Sequence, residues 1–481
     1  MLGAVVAEAA ERWGDATWMV APAGWKVTYA DLHHASDEVA VGLLAAGVGE
    51  GDVVAVDLPT SPDHLVAYAA SAKVGAITAG VNPRLTEHER KALLARVEPR
   101  LVIDDGHAGD STASMLAPLR QRGQRPPPLA PDHDRPVAIV FTSGTTGLPK
   151  GAVFAGRQVV FITSVDTGGA WGGGGSSLGA TSLAHLGPTT KFAGNLMKGG
   201  TTHLVERWRA DDALRLTAEH RMASVAGIPT QLALMLHHPA FASTDLSSVR
   251  ATIIGGGPAT AGLVREIRAG FGVPVATRYS CTEAGIGLGT GFTDPTEDAE
   301  VSVGRPHAGV TLALRHPASG ESVPDGEVGE VCLRSPAVMT GYWNDPAATA
   351  AAFWDDGFVR TGDLGRLDSG GRLRLVGRAK EMYVRGGYNV YPTEVEAVLS
   401  DHPGVREVAV VARSDDLMGE VGVAFVVPTD GREVPDLDAL RRFAAEQLAA
   451  HKLPAEVRAV DALPLTPMDK VDKRALHAQL G

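Results

Sequence analysis

The sequence predicts an α/β protein with a large, multi-subdomain N-terminal α/β domain followed by a small α+β domain. Three observations predict it. The chain has 481 residues, more than one ordinary core of about 100–200 residues organises. Strand-like and helix-like segments alternate through its first third, the rhythm of layered α/β structure. Beyond residue 378 the elements become shorter, and a hydrophobic share of 44% supplies cores for both units.

Residues 1–15 read as a short amphipathic helix, because Glu8, Glu11 and Arg12 interrupt the apolar positions of what would otherwise resemble a secretory leader. Thr28 is placed as the N-cap of the next helix, with Asp31 at the capping-box position. Residues 53–58 read as a strand, 62–74 as a helix, 76–81 as an apolar strand, 86–97 as a helix and 101–103 as a strand. The proline-rich stretch 125–136 reads as a surface connection. Residues 168–179, with glycine at each of 172–175, are expected to form a mobile loop beside a site, since such a run is too permissive for a strand interior. In the last hundred or so residues a helix begins at 394, strands run over 405–411 and 421–427, and a helix covers 437–449.

Charge and cysteine usage narrow the function. Lys and Arg number 44 against 56 Asp and Glu, a net charge of −12, which argues against a broad nucleic-acid or anionic-membrane surface and means that any phosphate is held locally. Cys281 and Cys332 have no C-x-x-C spacing and offer neither a disulfide framework nor a zinc cluster. No apolar run approaches a membrane span, so a cytoplasmic protein without nucleic-acid partners is expected.

The chemistry is concentrated in short motifs. Val137-Ala138-Ile139-Val140-Phe141, a buried-type strand, runs directly into Thr142-Ser143-Gly144-Thr145-Thr146-Gly147-Leu148-Pro149-Lys150-Gly151. Glycines there let backbone N–H groups approach phosphate oxygens, hydroxyls add donors, and Lys150 adds a cation. The spacing is not that of the G-x-x-x-x-G-K-[ST] loop. Further along stand Ile253-Ile254-Gly255-Gly256-Gly257-Pro258, Tyr279-Ser280-Cys281-Thr282-Glu283, Tyr342 through Thr361-Gly362-Asp363, Gly377-Arg378-Ala379-Lys380-Glu381, Gly386-Gly387-Tyr388 and Pro464-Leu465-Thr466-Pro467-Met468-Asp469-Lys470. A serine hydrolase is disfavoured, because Gly175-Ser176-Ser177-Leu178-Gly179 lacks an apolar strand before it. A dinucleotide fold is disfavoured too, because 285–290 lacks the final glycine of its fingerprint.

In this order the motifs resemble those of the ANL superfamily, the adenylate-forming acyl-CoA synthetases, peptide-synthetase adenylation domains and luciferases. The resemblance implies a large domain 1–378 holding ATP and the acyl pocket, and a small mobile domain 379–481 carrying the hinge and a catalytic lysine. It implies that Thr142, Ser143, Gly144, Thr145, Thr146, Gly147 and Lys150 cradle phosphate, that Gly256 and Gly257 wall the adenine and acyl pocket, and that Tyr279 packs on adenine with Ser280 where the family has glycine. Thr282 would touch the α-phosphate, Glu283 would reach Mg²⁺, Asp363 would hold the ribose, and Arg378 would face ribose and phosphate. His185 in Ser182-Leu183-Ala184-His185 would line the acyl pocket, and Lys380 would be the hinge. Lys470 would bridge carboxylate and α-phosphate during adenylation, with Asp469 where the family has glycine, and Gly386 and Gly387 would enter the site for thioester formation. The implied activity is ATP-dependent activation of a carboxylic acid with release of pyrophosphate and transfer to coenzyme A. A carrier protein or an amine is the alternative acceptor, and the lack of a carrier domain after Lys470 favours coenzyme A.

Overall fold

A computed structural model describes residues 2–104, 114–142, 149–257, 259–429, 431–466 and 470–480. The first helix, Leu2–Trp13, turns Leu2, Val6 and Ala9 inward, the spacing of a helix with one apolar face. Helix Tyr29–Ala45 opens with the full capping box: Thr28 accepts from the Asp31 N–H while Asp31 accepts from the Thr28 N–H. Helix Glu87–Val97 opens in the same way through Thr86 and Glu89.

A six-stranded sheet lies at the centre of the N-terminal region. Its order is Gly341–Tyr342, Gly151–Ala155, Pro136–Phe141, Ile77–Gly80, Val53–Asp57 and Leu101–Asp104. The last four strands run parallel, whereas Gly151–Ala155 turns back antiparallel on Pro136–Phe141. A second sheet carries Ser224–Gly227, Ala251–Gly255 and Val275–Tyr279 in parallel, continued by Leu288–Gly289 and Arg305–Pro306. A third, antiparallel, is formed by Thr311–Arg315, Gly329–Arg334, Val359–Leu367 and Leu373–Arg378. Ligand sites in open α/β sheets gather at the carboxyl ends of strands, and strands Ala251–Gly255 and Val275–Tyr279 both end in the motifs singled out above.

After Arg378 the chain enters a separate sheet of Tyr388–Val390, Tyr383–Arg385, Gly419–Pro428 and Val405–Asp415, with Glu456–Ala459 parallel to Gly419–Pro428. Both faces are covered. Val410, Ala424 and Val426 pack with Leu399 and Leu440 on one side, and Ala409, Val411, Val423, Phe425 and Val427 pack with Leu463 and Leu476 on the other. Alternate residues of a strand point to opposite faces, so burial on both sides explains why 421–427 reads as an unbroken apolar run.

Residues 168–175 lie outside helices and strands, as expected, but the end of the stretch does not. Ser176–Gly179 is an edge strand paired in parallel with Thr201–Leu204. The glycines serve close packing: a Cβ on Gly174 would lie 2.7 Å from the Gly200 nitrogen, and one on Gly200 would lie 2.4 Å from the Gly175 carbonyl oxygen. Two backbones thus meet where no side chain fits. The helix expected over 437–449 is shorter, Leu437–Ala445.

Candidate active site

The motif expected to cradle phosphate lies between two antiparallel strands, Pro136–Phe141 and Gly151–Ala155. Its mouth is closed by a backbone bond from the Thr142 N–H to the Lys150 carbonyl (2.9 Å) and by the Lys150 N–H donating to Thr142 Oγ1 (3.2 Å). Ser143, Gly144, Thr145, Thr146 and Gly147 lie outside the described residues. Beside Gly151–Ala155 runs the two-residue strand Gly341–Tyr342, which places Tyr342 opposite Ala152. The Lys150 ammonium therefore lies 4.9 Å from the centroid of the Tyr342 ring, a cation–π distance.

Tyr342 also reaches the second sheet. Its hydroxyl donates to Glu283 Oε1 at 2.6 Å, and the Glu283 carbonyl accepts from the Met339 N–H at 2.9 Å. Glu283 is thus held through both backbone and side chain. Burial, and then the negative charge of Glu283, push the Tyr342 phenol well above its ordinary range, so it stays a hydrogen-bond donor.

Asp363 and Arg378 sit directly opposite one another in the third sheet. Asp363 is buried, and its two oxygens are divided: Arg378 Nε donates to Oδ1 at 3.0 Å and the Tyr279 hydroxyl to Oδ2 at 2.7 Å. Each oxygen keeps a second lone pair for a further donor. The small domain supplies Lys470 to the same place. Lys470 is tied by the Thr466 N–H donating to its carbonyl (2.7 Å), and beside it the Asp472 N–H donates to the Pro464 carbonyl (2.7 Å); Asp469 lies outside the described residues. Lys470 is half-buried, and burial followed by the neighbouring Arg378 charge lowers its ammonium pKa against the opposing pull of Asp363.

His185 completes the group. Burial, then Lys470 and Arg84, push it down to about 4, so it is a neutral imidazole at physiological pH. Its Nε2 lies 3.4 Å from Asn82 Nδ2. Beneath it, His64 is buried and is likewise pushed down to about 4, by burial and then by His185.

A phosphate hairpin, a fixed carboxylate, a paired aspartate and a delivered lysine coincide with what the sequence matches. The model of the AMP-binding enzyme family covers residues 6–343, and that of the AMP-binding enzyme C-terminal domain covers 394–470. The chain belongs to the ANL superfamily of adenylate-forming enzymes. It is 33% identical to a feruloyl-CoA synthase of Amycolatopsis sp, over 95% of each chain. It is also 33% identical to the fatty acid–[acyl-carrier-protein] ligase ScoC of Streptomyces coeruleorubidus, over 94% of this chain and 92% of that one. ATP-bound MatB from Rhodopseudomonas palustris superposes with a TM-score of 0.90 at 27% identity, covering 100% of this chain and 99% of that chain.

In this adenylate-forming enzyme, contacts join Lys150 to Glu283 through Tyr342 and join Tyr279 and Arg378 to Asp363, while Lys470 feels the charges of Arg378 and Asp363 and His185 that of Lys470. Thr282 is half-buried on the same turn as Glu283, and Ser280 is exposed with its hydroxyl donating to the Cys281 carbonyl at 3.1 Å. Gly256 and Gly257 form the turn after strand Ala251–Gly255, facing Ile228 and Pro229. Lys380 follows Ala379, whose N–H donates to the Gly362 carbonyl at 2.9 Å. Gly386 and Gly387 are not brought in: they form an exposed turn with φ of 56° and 86°, values that favour glycine, and Gly386 bonds to Met418 of their own sheet. Sequence reasoning missed the tie from Tyr342 to Glu283 and the presence of His64 and Asn82. The G-Y-W block already named Tyr342, but its partner lies 59 residues away and depends on the pairing of a two-residue strand.

His203, on strand Thr201–Leu204, is a further buried histidine. It stacks on His220 at 3.7 Å, and burial, then His220, push it down to about 4. His64, His185 and His203 therefore bind protons more weakly folded than unfolded, where histidine titrates near about 6.5. The unfolded chain takes up more protons in that window, so stability falls as pH drops from about 6.5 toward about 4, by about 1 kcal/mol per pH unit for each histidine. Urea midpoints should decline across that window, and His203→Phe, which keeps an aromatic stack outside the site, should remove one histidine's share of the slope.

Proposed function

We propose that this adenylate-forming enzyme activates a small-molecule carboxylic acid with ATP, releases pyrophosphate, and passes the acyl group to coenzyme A in the cytoplasm. The observation carrying the first half is the buried Asp363 held by Tyr279 and Arg378, with Lys470 of the small domain near enough for the charges of Arg378 and Asp363 to act on it. In this reading the large domain is 1–378 and the small one 379–481. Lys150 and Thr142 hold phosphate, Tyr279 flanks adenine, Asp363 and Arg378 take the ribose, and Thr282 contacts the α-phosphate. The acid enters past His185, Gly256 and Gly257. As its carboxylate oxygen attacks the α-phosphorus and pyrophosphate leaves, Lys470 bridges the two anions and stabilises the charge that develops.

Glu283 fits a magnesium ion. A single fixed carboxylate one phenol ring away from Lys150, with no cage of three His, Cys, Asp or Glu among the described residues, matches a cation held by one carboxylate and substrate phosphates. When bound, the ion supplies neutralisation of the phosphate charge. Tyr342 orients Glu283 for it, and its ring keeps Lys150 directed at the same phosphates.

Coenzyme A as acceptor is supported by the feruloyl-CoA synthase relative, and a carrier protein, as in ScoC, is the second reading because that relative is equally similar. Thioester formation with the free cofactor, against a pantetheinylated carrier, separates the two. No helix among the described residues is long and apolar enough to cross a membrane, and both cysteines are unpaired, in keeping with a reducing compartment.

Three measurements check the roles. Lys470→Ala should slow acyl-adenylate formation by about 10²–10³-fold yet leave thioester formation from supplied acyl-adenylate near its original rate, and an equal loss in both would make Lys470 structural. Tyr342→Phe should raise the magnesium needed for half-maximal ATP binding about tenfold, the worth of a charge-assisted hydrogen bond, read by calorimetry, with no further rise in a Glu283→Gln background. Because Gly386 and Gly387 stand outside the site while Lys470 is in it, the second step requires the small domain to swing about Lys380. Lys380→Pro, fixing φ near about −65°, should therefore separate the rates of the two half-reactions.

A further inference from the structure

Lys473 stands three residues after Lys470, and its side chain lies between two carboxylates. Its ammonium is 3.0 Å from Glu381 Oε2 and 2.8 Å from Glu396 Oε1. Glu396 belongs to helix Pro392–Leu399, and its Oε1 also accepts from the Val410 N–H at 2.7 Å, which ties that carboxylate to the sheet of the small domain. All three side chains are half-buried. Burial works against the Lys473 charge, but Glu396 and then Glu381 outweigh it and raise the ammonium above its ordinary range. Lys470 goes the other way. One lysine of this segment is thus a fixed cation between anions, and the other is left short of compensation at the site.

Glu381 follows the hinge position, Lys380. Its N–H and that of Met382 both donate to the Arg378 carbonyl, at 3.1 Å each, which closes a turn around residues 379 and 380. Arg378 in turn grips Asp363 through Nε at 3.0 Å. Lys473 lies 92 residues beyond Glu381, at the start of helix Lys473–Ala478. Asp472 caps that helix by accepting from the Arg474 and Ala475 N–H groups, and Leu476 is buried in the core of the small domain. Contacts therefore run without a break from Asp363 through Arg378 and Glu381 to Lys473, and three residues of chain lead from there back to Lys470. A lysine side chain is a flexible four-carbon stem, so its ammonium is placed only as well as its backbone is held.

We propose that Lys473 is a positioning residue for adenylation: by pairing with Glu381 it moors the segment bearing Lys470 to the hinge turn, so that Lys470 arrives in a set place beside Asp363 and Arg378. This rests on the assignment of Lys470 to adenylation. Glu381, Glu396 and Lys473 all follow the hinge, so the mooring travels with the small domain when it swings. The thioester step makes no use of Lys470 and is indifferent to it.

The test separates the half-reactions in the full chain. Pyrophosphate release is followed with ATP, magnesium and octanoate, benzoate or phenylacetate as the acid, and thioester formation with coenzyme A and the matching supplied acyl-adenylate. Lys473→Met should lower kcat for release by about 10–10²-fold, with KM for ATP within about twofold and the thioester rate preserved. Glu381→Gln, which leaves Lys473 paired with Glu396, should act in the same direction and decides the matter if Lys473→Met does not fold. Lys473→Arg, whose forked guanidinium can serve two carboxylates, should restore most of the rate. Hydrogen exchange should quicken in peptides spanning 464–472 of Glu381→Gln while strand Gly419–Pro428 stays protected. Equal loss in both half-reactions makes Lys473 a support of the whole small domain and overturns the mooring. So does an unchanged rate in Glu381→Gln beside a Lys470→Ala protein that has lost adenylation. Release that Lys470→Ala fails to slow removes instead the catalytic reading of Lys470, and the mooring with it.

Discussion

Asp363 is the constraint on which the site turns. A carboxylate this buried must be partnered, and its partners come from separate parts of the chain: Tyr279 from the end of the second sheet and Arg378 from the last residue of the third. The register that places Asp363 opposite Arg378 also fixes where the chain leaves the large domain, because Ala379 and Lys380 follow at once. The position of the small domain, and with it of Lys470, is thus set by a strand pairing whose other product is the proposed ribose carboxylate.

A second junction works in the same way. The hairpin that closes the phosphate loop also supplies the edge on which Gly341–Tyr342 pairs, and Tyr342 then reaches across to Glu283. The loop cation and the carboxylate are held apart by a phenol ring instead of neutralising each other. Direct pairing of Lys150 with Glu283 would consume both charges, whereas an aromatic spacer satisfies each and leaves both directed at a shared polyphosphate.

Much of this was legible in the sequence where the signal is local. Thr28 with Asp31 and Thr86 with Glu89 are read by spacing alone, and the strand before Thr142 is read from its unbroken apolar run. The family motifs carry Asp363, Glu283 and Lys470 because each lies in a short ordered string. What stayed hidden depends on tertiary pairing. Ser176–Gly179 has the composition of a loop, and its pairing with Thr201–Leu204 begins where Gly174 and Gly200 leave no room for a side chain between two backbones. The Tyr342–Glu283 bond and the burial of His64 beside His185 join residues far apart in sequence, and no periodicity announces them.

The half-buried Lys470 has a thermodynamic consequence. Burial and Arg378 disfavour its charge and Asp363 offsets only part of that, so an anion arriving between Lys470 and Arg378 would supply the rest of the compensation. Binding that anion relieves the repulsion, which makes ligand occupancy and domain closure linked equilibria. By reciprocity, whatever factor the ligand lends to closure, closure lends to the ligand. In the proposed mechanism the small domain is an electrostatic latch, set by its cargo and released when the negative charge departs as pyrophosphate.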